Sequence, residues 1–526
     1  MSPPGVATMV KVQWRARRKG IAVWVLGLVA GLWATAAIVA GTYTTQEQIQ
    51  GYADSVASPA LYAINGHVVG IATLGGVIQD EFGFMASFLM PLFGISLIAG
   101  STRREEESGR LEALLAGRID RRAPVLAALL VAVAAIASVA VGFSVALAVS
   151  GVPTSSAILD GASMAGVSLV FAGLSALCAQ LFLHSRGVYS AGFAVLVFAY
   201  VTRGIGDVTG SWVTWLSPLG WQEKTEPFAA QHWWVLAIPV AAGLLLGAGG
   251  IGLAGRRDLG SALWRGGAGP QEAAPWLRHP IGLAAWLHRP SIVGWLLGSV
   301  VLAVVMGALT QQIVDAIVAN PSLGDAMGAS GVQPETAFLA IVSLYLAVIG
   351  CGFVVQATAT LRHEEAEGRL EPALAGTTTR SGWLGAHTLV IVGGLVLIAA
   401  AGSLVFALTA AWSTDGSVDV WPVVRSGLAY LPAELTLAGL ALAAFGLFPR
   451  AYAVAWAGFT LTTTIAFLGP GLKLADWILD LAPTTHVGNP PLGDIDGVGL
   501  LALGAVALLL GGAGWFGFRR RAVPGT

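Results

Sequence analysis

Twelve apolar runs, each long enough to cross a lipid bilayer, constrain this chain more than any other feature. A hydrocarbon layer of about 30 Å requires about 20 mostly apolar residues in helical form. On that template the runs fall at 21–42, 82–101, 124–149, 161–183, 187–204, 233–254, 292–313, 337–358, 384–411, 424–448, 451–470 and 498–518. Composition agrees: 56% of the 526 residues are hydrophobic and 11% are charged, against roughly 25% charged in an average globular chain. So few charges cannot cover a water-facing surface of this size, and the 69 glycines also suit membrane helices. The expected fold class is an all-α integral membrane protein with about twelve transmembrane helices.

Residues 57–78 are weakly apolar but contain Pro59, Asn65 and His67. Counting them as a span would make the total odd and reverse every later loop. The positive-inside rule opposes that choice. With twelve spans and both termini in the cytoplasm, 24 of the 28 Lys and Arg residues fall on the cytoplasmic side. The segment is therefore expected to be re-entrant or interfacial. The first apolar run has no small-residue cleavage site after it and is read as a span. Cys178 and Cys351 both lie within apolar runs, which makes a disulfide framework unexpected.

The chain also repeats itself. Arg103–Arg121 (RREEESGRLEALLAGRIDR) and Arg362–Arg380 (RHEEAEGRLEPALAGTTTR) align without gaps, with eleven of nineteen positions identical. They follow the second and eighth runs, and shorter matches flank them. The expected organisation is two tandem six-span halves, 1–255 and 292–526, joined by a cytoplasmic linker at 256–291. Two basic, Trp-containing segments, Val10–Lys19 and Pro275–Arg289, precede the first span of each half and suit helices lying in the membrane interface.

Within the repeated loop, carboxylates come first, where they favour a helix N-terminus. Leu111, Leu115 and Ile119, four apart, share one helical face. Gly109, Gly117, Gly368 and Gly376 punctuate the helix, and basic residues, Arg118 among them, close it. A solubilising loop is the plain reading of one copy. Two copies of an anionic motif on the positive-inside face favour a docking surface. It comprises Glu105, Glu106, Gly109, Arg110, Leu111, Glu112, Leu115 and Arg121, and in the second copy Glu364, Glu365, Gly368, Arg369, Leu370, Glu371, Leu374 and Arg380. Arg186 and Arg450, in short loops, are candidates for a smaller second contact in each half.

Several activities lack their residues. None of the four lysines lies in a GxxxxGK[ST] loop, and HExxH and CxxC motifs are absent. The chain is thus expected to bind no cofactor or metal and to be no enzyme; if ATP and magnesium drive it, another polypeptide holds them. The formal net charge of −1 gives no reason to expect a nucleic-acid partner.

Glu434 is the one acid well inside a span, a candidate for the substrate path or for an inter-helix structural bond. Arg425 is its nearest cation in sequence, but nine residues of helix separate the two by about 13 Å. Asp160, Arg203 and Asp207 fall near span ends and are expected to be solvated boundary charges. Trp212, Trp215, Trp221, Trp233 and Trp234 are expected to form an aromatic belt.

These residues resemble a known family. The EE…GRLE…LLAG…R loop and its copy are similar to the membrane subunits of ABC-2-type exporters. Leu216-Ser-Pro-Leu-Gly-Trp221, Glu226-Pro-Phe228, Trp233-Trp234 and Arg256-Arg-Asp-Leu-Gly260 narrow the likeness to actinobacterial permeases of the polyketide-antibiotic, tetronasin-transport type. In the second half, Ala482-Pro483 keeps only a remnant of the SPLGW stretch. The resemblance implies an ABCG-like exporter transmembrane fold with two copies of a separate ABC ATP-binding subunit docked beneath it. The two repeated loops would be coupling helices, and a hydrophobic drug or antibiotic would leave from the cytoplasm or inner leaflet. On that reading, Glu106→Lys with Glu365→Lys disconnects the ATPase and leaves the fold intact. The competing reading is a proton-coupled twelve-span antiporter that uses Glu434.

Overall fold

The structure, a computed structural model, describes residues 4–57, 59–115, 119–264, 272, 274–319, 333–376, 378–472, 476–488, 490 and 495–522. Gly117, Arg118 and part of the expected linker lie outside them. The described residues contain helices and no β-strand. Eleven helical stretches among them are long and apolar enough to cross a membrane. These coincide with eleven of the twelve expected runs. The twelfth, 451–470, is also helical, over the 20 residues Ala453–Leu472.

The chain divides into two compact units, Met1–Ala268 and Gly269–Thr526. In the first, α1 (Val6–Thr42) precedes α2 (Gln46–Val56), α3 (Pro59–Asn65) and α4 (Leu74–Ser101). The repeated loop forms α5 (Arg103–Glu107) and α6 (Arg110–Leu115). The unit continues with α7 (Ala123–Val149), α8 (Thr154–Leu181), α9 (Ser185–Thr209), α10 (Pro218–Glu223) and α11 (Ala237–Ala254). Helix α8 is central and packs on α4, α7, α9 and α11. Its contact with α11 is close because a Cβ on Gly173 would meet the Gly243 carbonyl, the small-residue approach favoured between membrane helices.

Two local outcomes bear on the expectations. Helix α1 has 37 residues, about 55 Å at 1.5 Å per residue, which far exceeds a bilayer core. Residues 10–19 are therefore the first turns of that long helix and not a helix of their own. Buried Gln13 fixes them by donating to the Ser101 carbonyl at 3.2 Å and the Pro124 carbonyl at 3.0 Å. The described residues of 57–78 form the seven-residue α3, a turn and the start of α4, which Thr73 caps through its side chain. Among the described residues, no helix starting before Leu74 in this stretch is long enough to cross a membrane.

The second unit contains α12 (Pro280–Ala308), α13 (Thr310–Ala319), α14 (Pro334–Ala366), α15 (Leu370–Ala375) and α16 (Arg380–Ser413). It ends with α17 (Val420–Leu428), α18 (Leu431–Leu447), α19 (Ala453–Leu472), α20 (Asp476–Leu479) and α21 (Gly497–Arg520). Helix α14 contacts α12, α16, α18 and α19, while α18 lies along α21. There too glycine sets the approach, since a Cβ on Gly446 would meet the Gly514 carbonyl. The tenth run is broken at Ala429–Tyr430, and Pro432 opens α18 because proline suits a first helical turn.

Candidate functional site

In each unit the repeated loop is a helical segment that carries the glutamates (α5, or the end of α14), a left-handed glycine and a short second helix (α6 or α15). Gly109 has φ +71° and Gly368 φ +70°, a conformation that costs a residue bearing a Cβ. The turn brings the following arginine back onto the preceding helix. Arg110 grips Glu105 through Nε and a terminal nitrogen at 2.8 and 3.0 Å. Arg369 grips Glu364 in the same manner, with contacts of 2.8–3.1 Å. The Glu364 carboxylate beside it raises the Arg369 pKa above its ordinary value.

The second glutamate of each EE pair points inward. Glu106 accepts two hydrogen bonds from Arg257 at 2.7 and 2.8 Å and one from the Gly260 N–H at 2.7 Å, and it pairs with Arg103 at 3.0 Å. Arg103 and Arg257 both donate to the Ser261 carbonyl, at 2.8 and 2.6 Å. Leu263 and Trp264 N–H groups donate to the carbonyls of Gln180 and Leu181 at the end of α8. Residues 256–264 thus form a strap across the loop end of the first unit. In the second unit Glu365 receives Arg521 at 2.5 and 2.7 Å. The Arg521 guanidinium also lies over the Phe445 and Phe518 rings.

These placements divide the expected site residues. Leu111 is buried against Met9, Ala123 and Ala127, with Leu115 and Ile119 beside it, so the predicted apolar face is a packing face. Leu370 is likewise buried and Leu374 packs beside it. Arg110, Glu112, Arg369 and Glu371 are exposed, as are Arg186 and Arg450. Arg121 is exposed and pairs with Asp258 at 2.9 Å, whereas Arg380 donates to the Arg519 and Arg521 carbonyls. The short loops do meet the repeated ones. Glu107 accepts from the Ser185 N–H at 2.9 Å and its hydroxyl at 2.6 Å, and Arg362 donates to the Pro449 carbonyl at 3.2 Å. With Glu106 and Glu365 inside ion pairs, the expectation that reversing both charges leaves the fold intact is corrected.

Glu434 is 1% exposed and sits in the first turn of α18, against Gly350 of α14, where a Cβ would collide with its carboxylate. Its Oε2 has no hydrogen-bond partner among the described residues. Arg425 is exposed on α17, and no ion pair joins it to Glu434 among the described residues.

A second polar cluster overturns the boundary-charge expectation. Arg203 is 2% exposed, and the side chains of Asp207 and Glu223 are also buried. Arg203 pairs with Asp207 at 3.7 Å and Glu223 at 3.6 Å, donates to the carbonyls of Asn65 and Ala63, and lies 4.6 Å from the Tyr200 ring centroid. Asp160 is buried as well. Segments 59–68 and 217–223 fold over the end of α9 and exclude water. Ser217 secures the second of them, donating to the Ala199 carbonyl at 2.6 Å and accepting from the Leu219 N–H. Burial pushes the Glu223 carboxyl well above its ordinary pKa, more than Arg203 lowers it. The expected belt tryptophans Trp212, Trp215, Trp233 and Trp234 are exposed, with Trp215 and Trp234 stacked.

Apolar helices of this number and length among the described residues define a multi-span membrane protein. The family described as "Multidrug efflux system permease Rv1217c, C-terminal domain" matches residues 277–519. The "Multidrug efflux system permease protein Rv1217c" of Mycobacterium tuberculosis (strain ATCC 25618 / H37Rv) is 32% identical over 530 residues, covering 99% of this chain and 95% of that protein. The chain belongs to this family of efflux-system permeases.

Proposed function

We propose that the chain is the transmembrane permease of an ATP-driven ABC-2-type exporter, close to the polyketide-antibiotic type, that expels hydrophobic drugs or antibiotics from the cytoplasm or inner leaflet. The name of its mycobacterial relative supports the multidrug cargo. Two copies of a separate ABC ATP-binding subunit, holding ATP and magnesium, dock on loops 103–121 and 362–380 at the cytoplasmic face of the bacterial membrane, where both termini also lie.

One observation carries the coupling role. In each loop a buried glutamate is held by an arginine that follows the last long helix of its unit, Arg257 or Arg521, while Arg110 with Glu112, and Arg369 with Glu371, face solvent. A push on the exposed residues is thus passed to the spans, and nucleotide-dependent binding by a partner can bias a two-state equilibrium. The test is purification of the tagged full chain from its host in mild detergent. Two copies of a soluble ATPase per chain are expected, and Glu112→Lys with Glu371→Lys should release them without unfolding the permease. A chain that purifies alone across several detergents overturns the reading.

Glu434 favours a second reading. A buried carboxylate with an open oxygen suits a proton carrier, and a proton-coupled antiporter would need it. Drug efflux that survives Glu434→Gln excludes that mechanism.

A further inference from the structure

At the end of α4 opposite the repeated loop, one hydroxyl serves two carboxylates. Tyr52, on α2, places its phenol oxygen 2.8 Å from Asp80 Oδ2 and 2.8 Å from Glu81 Oε1. A phenol has one proton to donate. Two ionised carboxylates cannot both receive it, so the second short contact needs a proton held by one of the acids. Asp80 is 5% exposed, whereas Glu81 is exposed. A buried carboxylate without a cation is costly, so the proton belongs on Asp80. The result is a directional chain: Asp80 donates to Tyr52 and Tyr52 donates to Glu81, while the Asn65 amide of α3 donates to Asp80 Oδ2 at 3.2 Å.

The neighbouring groups do not replace that proton. Tyr43, after α1, meets the Tyr52 ring at 5.3 Å between centroids. Helix α2 adds exposed Asp54, α8 adds buried Asp160, and α7 has no titratable residue. His67 lies on the Tyr62 ring. Arg203 of α9 pairs with Asp207 and Glu223 and reaches Ala63 and Asn65 through their carbonyls. Among the described residues no Lys, Arg or His pairs with Asp80 or Glu81. Asn65 is thus held on both sides, its amide by Asp80 and its carbonyl by Arg203. Next to it Gly66, at φ +102°, lies so close to Glu223 that a Cβ would meet the carboxylate. The three-residue contact therefore fastens α2 and α3 to α4, and through α3 the cover of the Arg203–Glu223 cluster.

We infer that Tyr52, Asp80 and Glu81 form a proton-operated clasp. It is closed while Asp80 carries the proton. As pH rises the proton passes by way of Tyr52 to Glu81 and water, leaving Tyr52 neutral. Two carboxylates then face one hydroxyl, and α2 and α3 loosen from α4. The closed clasp holds one proton more than the open one above the ordinary aspartate range, about pH 3.9. Opening therefore grows with pH, by up to about tenfold per unit. The inference goes beyond export and holds whatever the cargo.

The test is hydrogen exchange of the full chain in nanodiscs, read by mass spectrometry over a pH series and corrected for the intrinsic exchange rate. Protection of α2 and α3 should fall with rising pH by up to about tenfold per unit. Asp80→Asn keeps the shape, donates to Tyr52 and accepts from Asn65, so its protection should stay high at every pH. Glu81→Gln removes the repulsion and should also flatten the profile, which covers the case in which Asp80→Asn does not fold. Tyr52→Phe should leave both helices poorly protected throughout. In mildly acid buffer the infrared band of protonated carboxyls should lose one component on Asp80→Asn substitution. A wild-type profile without pH dependence, a dependence that survives Asp80→Asn or Glu81→Gln, full protection in Tyr52→Phe, or an unchanged infrared band overturns the clasp.

Discussion

Glu106 and Arg257, 151 residues apart, form a two-point ion pair at 2.7 and 2.8 Å that fastens the repeated loop of the first unit to the strap behind its last helix. Arg521 follows the last helix of the second unit and does the same for Glu365. Each loop is held by an arginine from beyond the end of its unit's helices. Its exposed residues can vary while its seat stays fixed.

Charge reversal at the seat should therefore be structural. Glu106→Lys leaves Arg103 and Arg257 without a counter-charge in a buried place, and breaking such a pair costs about 3–5 kcal/mol. Thermal unfolding in detergent should show a large fall in Tm. Glu112→Lys, on the exposed side of α6, should stay within about 0.5 kcal/mol of wild type. Equal stability of the two variants would refute the distinction.

The C-terminal arginines should differ sharply. Arg521→Ala strands Glu365 and removes a cation from two aromatic faces; Arg521 is partly exposed, which reduces the expected loss to about 2–3 kcal/mol. Among the described residues, Arg520→Ala removes a contact with the Phe516 ring, worth below about 1 kcal/mol at an exposed place. A melting series over Arg519, Arg520 and Arg521 checks the order.

At the loop turn, backbone conformation rather than space is limiting. Among the described residues nothing lies within 4 Å of a Cβ built on Gly109, so Gly109→Ala should cost about 1 kcal/mol through its positive φ. Gly109→Asn should recover part of it, since Asn tolerates the left-handed region. A cost for Asn as large as that for Val would show that the turn is not the cause.

The spans were legible because hydropathy is a local property. Each run carries its own signal, and eleven of the twelve coincide with long apolar helices of the structure. The loop glycines were legible for the same reason: a break between carboxylates and the GRLE stretch can be seen within ten residues. Arg257 was visible within its RRDLG stretch but its partner was not, because an ion pair spanning 151 positions leaves no local period. Arg203 misled for a related reason. Position near a span end suggests solvent, yet the carbonyls that receive it are 138 and 140 residues away on a segment that does not cross the membrane.

Glu434 and Gly350 are paired by shape. Gly350→Ala places a methyl group against the Glu434 carboxylate, and overpacking of this kind costs about 1–3 kcal/mol. Glu434→Gln combined with Gly350→Ala should not relieve it, because an amide is as large as a carboxylate. Glu434→Ala in the Gly350→Ala background should. A double-mutant cycle in thermal unfolding reads the coupling directly.

Glu223 gives a pH dependence with a definite sign. Burial raises its folded-state pKa well above the ordinary 4.5, so the folded protein holds the proton more tightly than the unfolded chain does. Its contribution to stability is complete below about pH 4.5 and is withdrawn as pH rises toward the folded-state value. Tm of the wild type should accordingly decline more steeply with rising pH above that point than Tm of Glu223→Gln, whose amide cannot ionise. The comparison cancels every other titrating group that the two proteins share. Parallel Tm–pH curves would mean that Glu223 is ionised in the folded state and that Arg203, rather than exclusion of water, governs the cluster.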